Sequence, residues 1–158
     1  MNETDLRHLR TAIEVAKNAR EHGNHPFGAL LADENGQVLL QAENTVVTGR
    51  DCTGHAETNL MRSATQNFLP EKLAMCCTPY TSTEPPAMCA GAIHWGNVGR
   101  VVFALSAIDL YAIIGSSPEH LLLPCREVFA HSQQRIEVEG PAMELEAEAR
   151  AVHEGFWR

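Results

Sequence analysis

The feature that most constrains this chain is a switching period. Apolar residues recur at helical spacing, then in short strand-like runs, then at helical spacing again. Residues 4–21 place Leu6, Leu9, Ile13 and Ala16 on one helical face, and Gly23 follows as a stop. Residues 27–32 (Phe-Gly-Ala-Leu-Leu-Ala) and 37–43 are apolar runs separated by Glu34-Asn35-Gly36, whose Asn-Gly pair predicts a hairpin. A loop over 48–54, with two glycines and Asp51, leads into a helix from His55 to about Phe68. Residues 74–82 read as a third strand, although Pro79 cannot donate to a ladder and belongs at an edge or bulge. After Glu84-Pro85-Pro86 a short helix runs through Met88, Ala92 and Ile93 to Trp95. Residues 98–105 form a fourth strand, and its Val101-Val102-Phe103 run is typical of a buried one. A loop holding Gly115 and Pro118 follows. Pro124 then opens a short helix, residues 136–138 make a weak strand, and residues 143–155 a last helix.

Neither a repeat, a linker nor a low-complexity segment interrupts this alternation. It predicts one domain over residues 1–158 with an α/β fold: a three-layer α/β/α sandwich around a central mixed sheet of about five strands. A chain of 158 residues is long enough to bury a real core.

Charge narrows the partners. Twelve Lys and Arg against twenty Asp and Glu give a formal net charge of -8, and residues 137–148 are plainly acidic. Binding a long nucleic acid needs a basic face that neutralises phosphates, and no basic cluster is present. A small neutral molecule is the expected partner instead. No stretch approaches the roughly 20 apolar residues of a membrane span, and Met1-Asn2-Glu3-Thr4-Asp5 has no signal-peptide character, so a cytoplasmic location is expected. The five cysteines (Cys52, Cys76, Cys77, Cys89, Cys125) are odd in number, which favours buried thiols or metal ligands over disulfides.

Two loop-to-helix junctions carry the chemistry: Thr53-Gly54-His55-Ala56-Glu57-Thr58, and residues 83–92, Thr-Glu-Pro-Pro-Ala-Met-Cys-Ala-Gly-Ala. A helix N-terminus presents unpaired N–H groups and the positive end of the dipole, which favour a thiolate, hydroxide or carboxylate. His55-Ala56-Glu57 matches the H-x-E half of the zinc deaminase signature, and Pro85 and Cys89 match its P-C-x-x-C half at the right offsets. The chain resembles the cytidine deaminase superfamily, and within it bacterial guanine deaminases and related purine or triazine deaminases. Pro26-Phe27-Gly28-Ala29, Glu43-Asn44, residues 54–59 and Tyr80-Thr81-Ser82-Thr83-Glu84-Pro85 carry the likeness, which spans about residues 6–104.

The resemblance implies a zinc-dependent hydrolase that converts a small aminated heterocycle, guanine above all, to its oxo form and ammonia. His55 and Cys89 are then the metal ligands and Glu57 the catalytic proton shuttle. Asn44, Phe27, Ala56, Trp95 and Trp157 are the expected substrate-binding residues, and a homodimer is expected. Position 86 departs from the pattern. The signature has cysteine there and this chain has Pro86, which offers zinc no donor but suits a helix start. Zinc occupancy, and with it turnover, is expected to be impaired. Three readings remain open: an inactive relative, an altered residue, or another ligand, for which Cys52 is the nearest candidate in sequence. A transfer-RNA adenosine deaminase and a non-catalytic base-binding protein are the rival functions.

Other residues are less telling. Asp109 reads as an exposed turn residue, and Cys76 and Cys77 as core. Phe156-Trp157 reads as packing of the last helix or as a tail closing the pocket. His25, His94, His120, His131 and His153 show no ligand spacing and read as surface or capping residues.

Overall fold

A computed structural model describes residues 1–157. Five strands form one mixed sheet in the order β2-β1-β3-β4-β5. They are β1 (Gly28–Asp33), β2 (Val38–Glu43), β3 (Cys77–Thr83), β4 (Arg100–Leu105) and β5 (Glu137–Glu139). The Asn35-Gly36 turn makes β1 and β2 an antiparallel hairpin, and β3 pairs antiparallel to β1. Strands β4 and β5 then add in parallel, each after a helical crossover.

Strand alternation assigns the two faces. Ala29, Leu31, Val101 and Phe103 point to one core, packed with Ala56, Leu60, Met61 and Ala64 of α3 (Ala56–Asn67), and with Ala90 and Ile93 of α5 (Ala87–Trp95). The in-between residues Leu30, Ala32, Val102 and Ala104 point to the other, against Leu9 and Ile13 of α1 (Glu3–Glu21). Leu145 and Ala149, on the last helical segment, close that side. The α/β sandwich expected from the sequence is the one observed, with helices on both faces of a mixed sheet.

Helix α1 starts in a capping box. The Asn2 side chain accepts from the Asp5 N–H and the Asp5 carboxylate accepts from the Asn2 N–H. Asp5 then reaches β3 and β4, where Tyr80 donates its hydroxyl at 2.7 Å and Arg100 donates twice at 3.0 Å. Gly28 lets α1 lie flat on β1, since a Cβ there would stand 2.4 Å from the Ala12 carbonyl and the Ala16 nitrogen.

Several boundaries differ from the sequence reading. Residues 70–76 are a helix, α4 (Pro70–Cys76), rather than the start of β3; Pro70 sits in its first turn, where no N–H is needed. Pro79 lies within the central strand β3, opposite Leu31, but the ladder to β4 is in register only from Tyr80 onward. The supposed loop after β4 begins with another helix, α6 (Ala107–Ile114), capped by Ser106 accepting from the Asp109 N–H. Short helices α2 (Val46–Gly49) and α7 (Cys125–Ala130) lie in the connections. The last helix divides into a 3-10 turn (Met143–Leu145) and α8 (Glu146–Ala151). Asp109 is tied to Arg150 at 2.7 Å and so is no free turn residue. No helix among the described residues is long and apolar enough to cross a membrane.

Candidate active site

The two junctions singled out in the sequence meet. His55 is the N-cap of α3, in extended conformation, and Glu57 follows in the first turn. The start of α3 is fixed from the β2 side: the Asn59 amide donates to the Glu43 carbonyl and to the Thr45 hydroxyl, each at 2.9 Å. Pro86 is the N-cap of α5, with Cys89 in its first turn. Glu84 anchors this second junction. Its backbone N–H donates to Leu105 at 2.7 Å, and its carboxylate accepts from the N–H groups of Ala107 and Cys125 at 3.0 and 3.1 Å. Helices α3 and α5 pack closely, with Gly96 making room for the Met61 side chain.

Imidazole, thiol and carboxylate therefore converge. Cys89 Sγ lies 3.5 Å from His55 Nδ1, and ligand atoms of His55, Glu57 and Cys89 all fall within 4.8 Å of one another. Cys89 is fully buried, Glu57 is 5% exposed, and Ala56 between the two α3 residues is sealed in the core. Burial, and secondarily the charge of His25, lowers the His55 pKa, which keeps its ring neutral and its lone pair available. Burial pushes Glu57 up to about 7 against weaker opposing hydrogen bonds from its own backbone and Cys89. Burial, then the nearby Glu57 charge, raises the Cys89 thiol.

Asn44 directly follows β2 and is 1% exposed. Its N–H donates to the Phe27 carbonyl and its Oδ1 accepts from Val46, while its Nδ2 has no partner. Trp157 packs on Phe27 with ring centroids 6.0 Å apart, and on His25 at 5.4 Å. Its indole N–H donates to His153 Nδ1 at 3.2 Å. His153 is not a surface residue: it is 1% exposed, and burial lowers its pKa to about 4. His25 is likewise half-buried, against Phe156 and Trp157. Trp95 stands apart. It ends α5 at 83% exposure, six residues beyond Cys89, and its ring partner is His94. Cys52 is exposed in the turn before Gly54 and outside the cluster.

Residues 2–105 match the cytidine and deoxycytidylate deaminase zinc-binding region. The chain belongs to this deaminase family. A probable cytosine deaminase of Schizosaccharomyces pombe is 42% identical over 159 residues, covering 99% of this chain and 94% of that protein. A tRNA-specific adenosine deaminase of Haemophilus influenzae is 34% identical over 112 residues, covering 71% of this chain and 64% of that protein. Among solved structures, guanine deaminase from Nitrosomonas europaea superposes with a TM-score of 0.75 at 24% identity, over 92% of this chain and 82% of that one.

The family's zinc tests the donor set. Tetrahedral zinc with bonds of about 2.3 Å to sulfur and about 2.0–2.1 Å to nitrogen holds those two donors about 3.6 Å apart. His55 Nδ1 and Cys89 Sγ, at 3.5 Å, match one edge of that tetrahedron. Pro86, at the α5 N-cap, has no side-chain donor. Among the described residues, the third group within reach is Glu57.

Proposed function

We propose that this deaminase takes a small free aminated base, of the guanine or cytosine kind, and that its hydrolytic turnover is impaired at position 86. The meeting of His55, Glu57 and Cys89 at two helix N-termini carries this reading. In this family bound zinc supplies a water acidic enough to be hydroxide near neutral pH. The chain's own residues serve the rest of the chemistry. His55 and Cys89 would hold the cation. Glu57, buried and poised near neutrality, is suited to move a proton from water to the ring nitrogen and the leaving ammonia. Asn44 Nδ2, a buried donor without a partner, fits a carbonyl or ring nitrogen on the base. Phe27 and Trp157 offer aromatic faces for a planar ring.

Likeness along nearly the whole chain to a probable cytosine deaminase supports a free base, and the motif resemblance supports guanine. The net charge of -8 disfavours transfer RNA, whose phosphates need a basic face. Homodimerisation belongs to the same proposal.

Ammonia release from guanine and cytosine, measured for the natural chain and Pro86→Cys, tests this function. Pro86→Cys is expected to deaminate one of the two, with the natural chain slower by well over the ~10–100-fold that follows loss of groups merely supporting a metal ligand. If neither protein releases ammonia or binds either base, the free-base reading fails. Turnover by the natural chain equal to that of Pro86→Cys refutes the impairment.

A further inference from the structure

We propose that Glu57 takes the place of the missing thiolate, so that His55 Nδ1, Cys89 Sγ and a Glu57 carboxylate oxygen form a three-donor cation site in this chain. The inference rests on position 86 being without a donor, and it reassigns Glu57 from proton shuttle to ligand for as long as Pro86 stands there.

Four observations support it. The His55 and Cys89 donors already stand 3.5 Å apart, the separation of two corners of a zinc tetrahedron, and the Glu57 carboxylate lies within 4.8 Å of both. Carboxylate oxygen is an ordinary zinc ligand beside nitrogen and sulfur. The charge also balances. A neutral imidazole, one thiolate and one carboxylate present two negative charges, as the signature's one histidine and two thiolates would.

Glu57 is moreover a 5%-exposed carboxylate that enters no salt bridge among the described residues. The Cys89 sulfur, within 4.8 Å of it, competes for the same cation rather than neutralising the carboxylate. A buried charge is costly unless it is paired or coordinates a metal, and a divalent ion between these groups removes that cost. Finally, the other thiols are committed elsewhere. Cys52 is exposed in its turn, Cys76 and Cys77 lie at the α4–β3 boundary, and Cys125 is buried at the start of α7, where its backbone N–H donates to Glu84.

The chemical consequence is specific. A carboxylate whose lone pair is given to a cation is a weaker base and is no longer free to carry a proton. The same substitution therefore retains a cation site and removes the shuttle. A thiolate restored at position 86 releases Glu57 to its proton role.

The test is a titration of Co(II) and Zn(II), without any base present, into the metal-stripped natural chain, Glu57→Gln, Pro86→Cys and the double variant. Affinity and the cobalt–thiolate absorption band are the readouts, and near-UV circular dichroism checks the fold. The natural chain is expected to bind one equivalent with the thiolate band. Glu57→Gln should weaken binding at least ten-fold in the natural background but change it less than three-fold beside Pro86→Cys. The dependence of one substitution on the other is what a merely structural Glu57 would not produce.

Equal metal affinity of the natural chain and Glu57→Gln overturns the proposal, as does a natural chain that takes up neither ion. If Glu57→Gln is misfolded, Glu57→Asp serves. A ligand role predicts weakened binding with a retained thiolate band, and unchanged affinity refutes it. Because no base enters the titration, failure to bind guanine or cytosine bears on the proposed function alone.

Discussion

Replacing Asp5 with Asn removes one charge from a buried side chain that accepts four hydrogen bonds, while keeping its shape. Asp5 is 2% exposed and accepts from the Asn2 N–H, the Tyr80 hydroxyl and two Arg100 nitrogens. Burial alone would raise its pKa, but hydrogen bonds from Arg100, Asn2 and Tyr80 outweigh burial and hold it at about 2 against an ordinary 3.8. That difference corresponds to about 2 kcal/mol in favour of the ionised form. Arg100 is 26% exposed, so solvent screening reduces this to about 1–2 kcal/mol. The new amide N–H also faces a donor where a carboxylate oxygen accepted, which adds about 1 kcal/mol. Asp5→Asn should therefore destabilise the fold by about 2–3 kcal/mol. Urea unfolding at pH 7, with a slope of about 1–3 kcal/mol/M, should show a midpoint lower by about 1–2 M.

The pH dependence supplies the sign. Since the folded pKa lies below the unfolded one, the ionised carboxylate's contribution is fully present above about pH 4 and lost as pH falls toward 2. The gap between natural and variant midpoints should close over that window. A loss below about 0.5 kcal/mol at pH 7, or a gap unchanged at pH 2, refutes the assignment.

Three further outcomes follow from the same structure. Gly28→Ala forces a Cβ to within 2.4 Å of α1 backbone atoms, so it should cost about 3 kcal/mol or more; soluble protein with an unchanged urea midpoint contradicts this. His153, with its folded pKa near 4, should stay neutral at pH 6 by NMR titration. Its contribution is present above about pH 6.5 and lost as pH falls toward 4, and a ring titrating near 6.5 would show that it is not buried as described. Asn44→Ala should weaken guanine or cytosine binding about ten-fold, measured by calorimetry, without altering metal affinity; unchanged base affinity removes Asn44 from the pocket.

Much of the architecture was legible because local signals agreed. The Asn35-Gly36 turn, the helical spacing of Leu6, Leu9 and Ile13, and the Val101–Phe103 run each marked an element that the sheet then used. Helices α4 and α6 were missed for different reasons. In α4 Leu73 is the buried residue, so no apolar period marks it, and Pro70 at its start is the one usable local signal. In α6 the sequence Ala-Ile-Asp-Leu-Tyr-Ala-Ile-Ile gives little periodicity, although Ser106 followed three residues later by Asp109 is a usable cap signal.

At the site, motif spacing was enough to select His55, Glu57 and Cys89 for the cluster. It gave no direction for Trp95, which side-chain packing turns outward. The lock between Trp157 and His153 depends on a neighbour four residues away and on burial by the rest of the fold, and no motif marks it.

Metal content by elemental analysis, taken together with ammonia release from cytosine and guanine, tests the account most directly when the natural chain is compared with Pro86→Cys. A weakly held cation and slow or absent turnover are expected in the natural chain. In Pro86→Cys one tightly held zinc and rapid turnover of one base are expected. Tightly bound stoichiometric zinc and undiminished turnover in the natural chain would contradict this account.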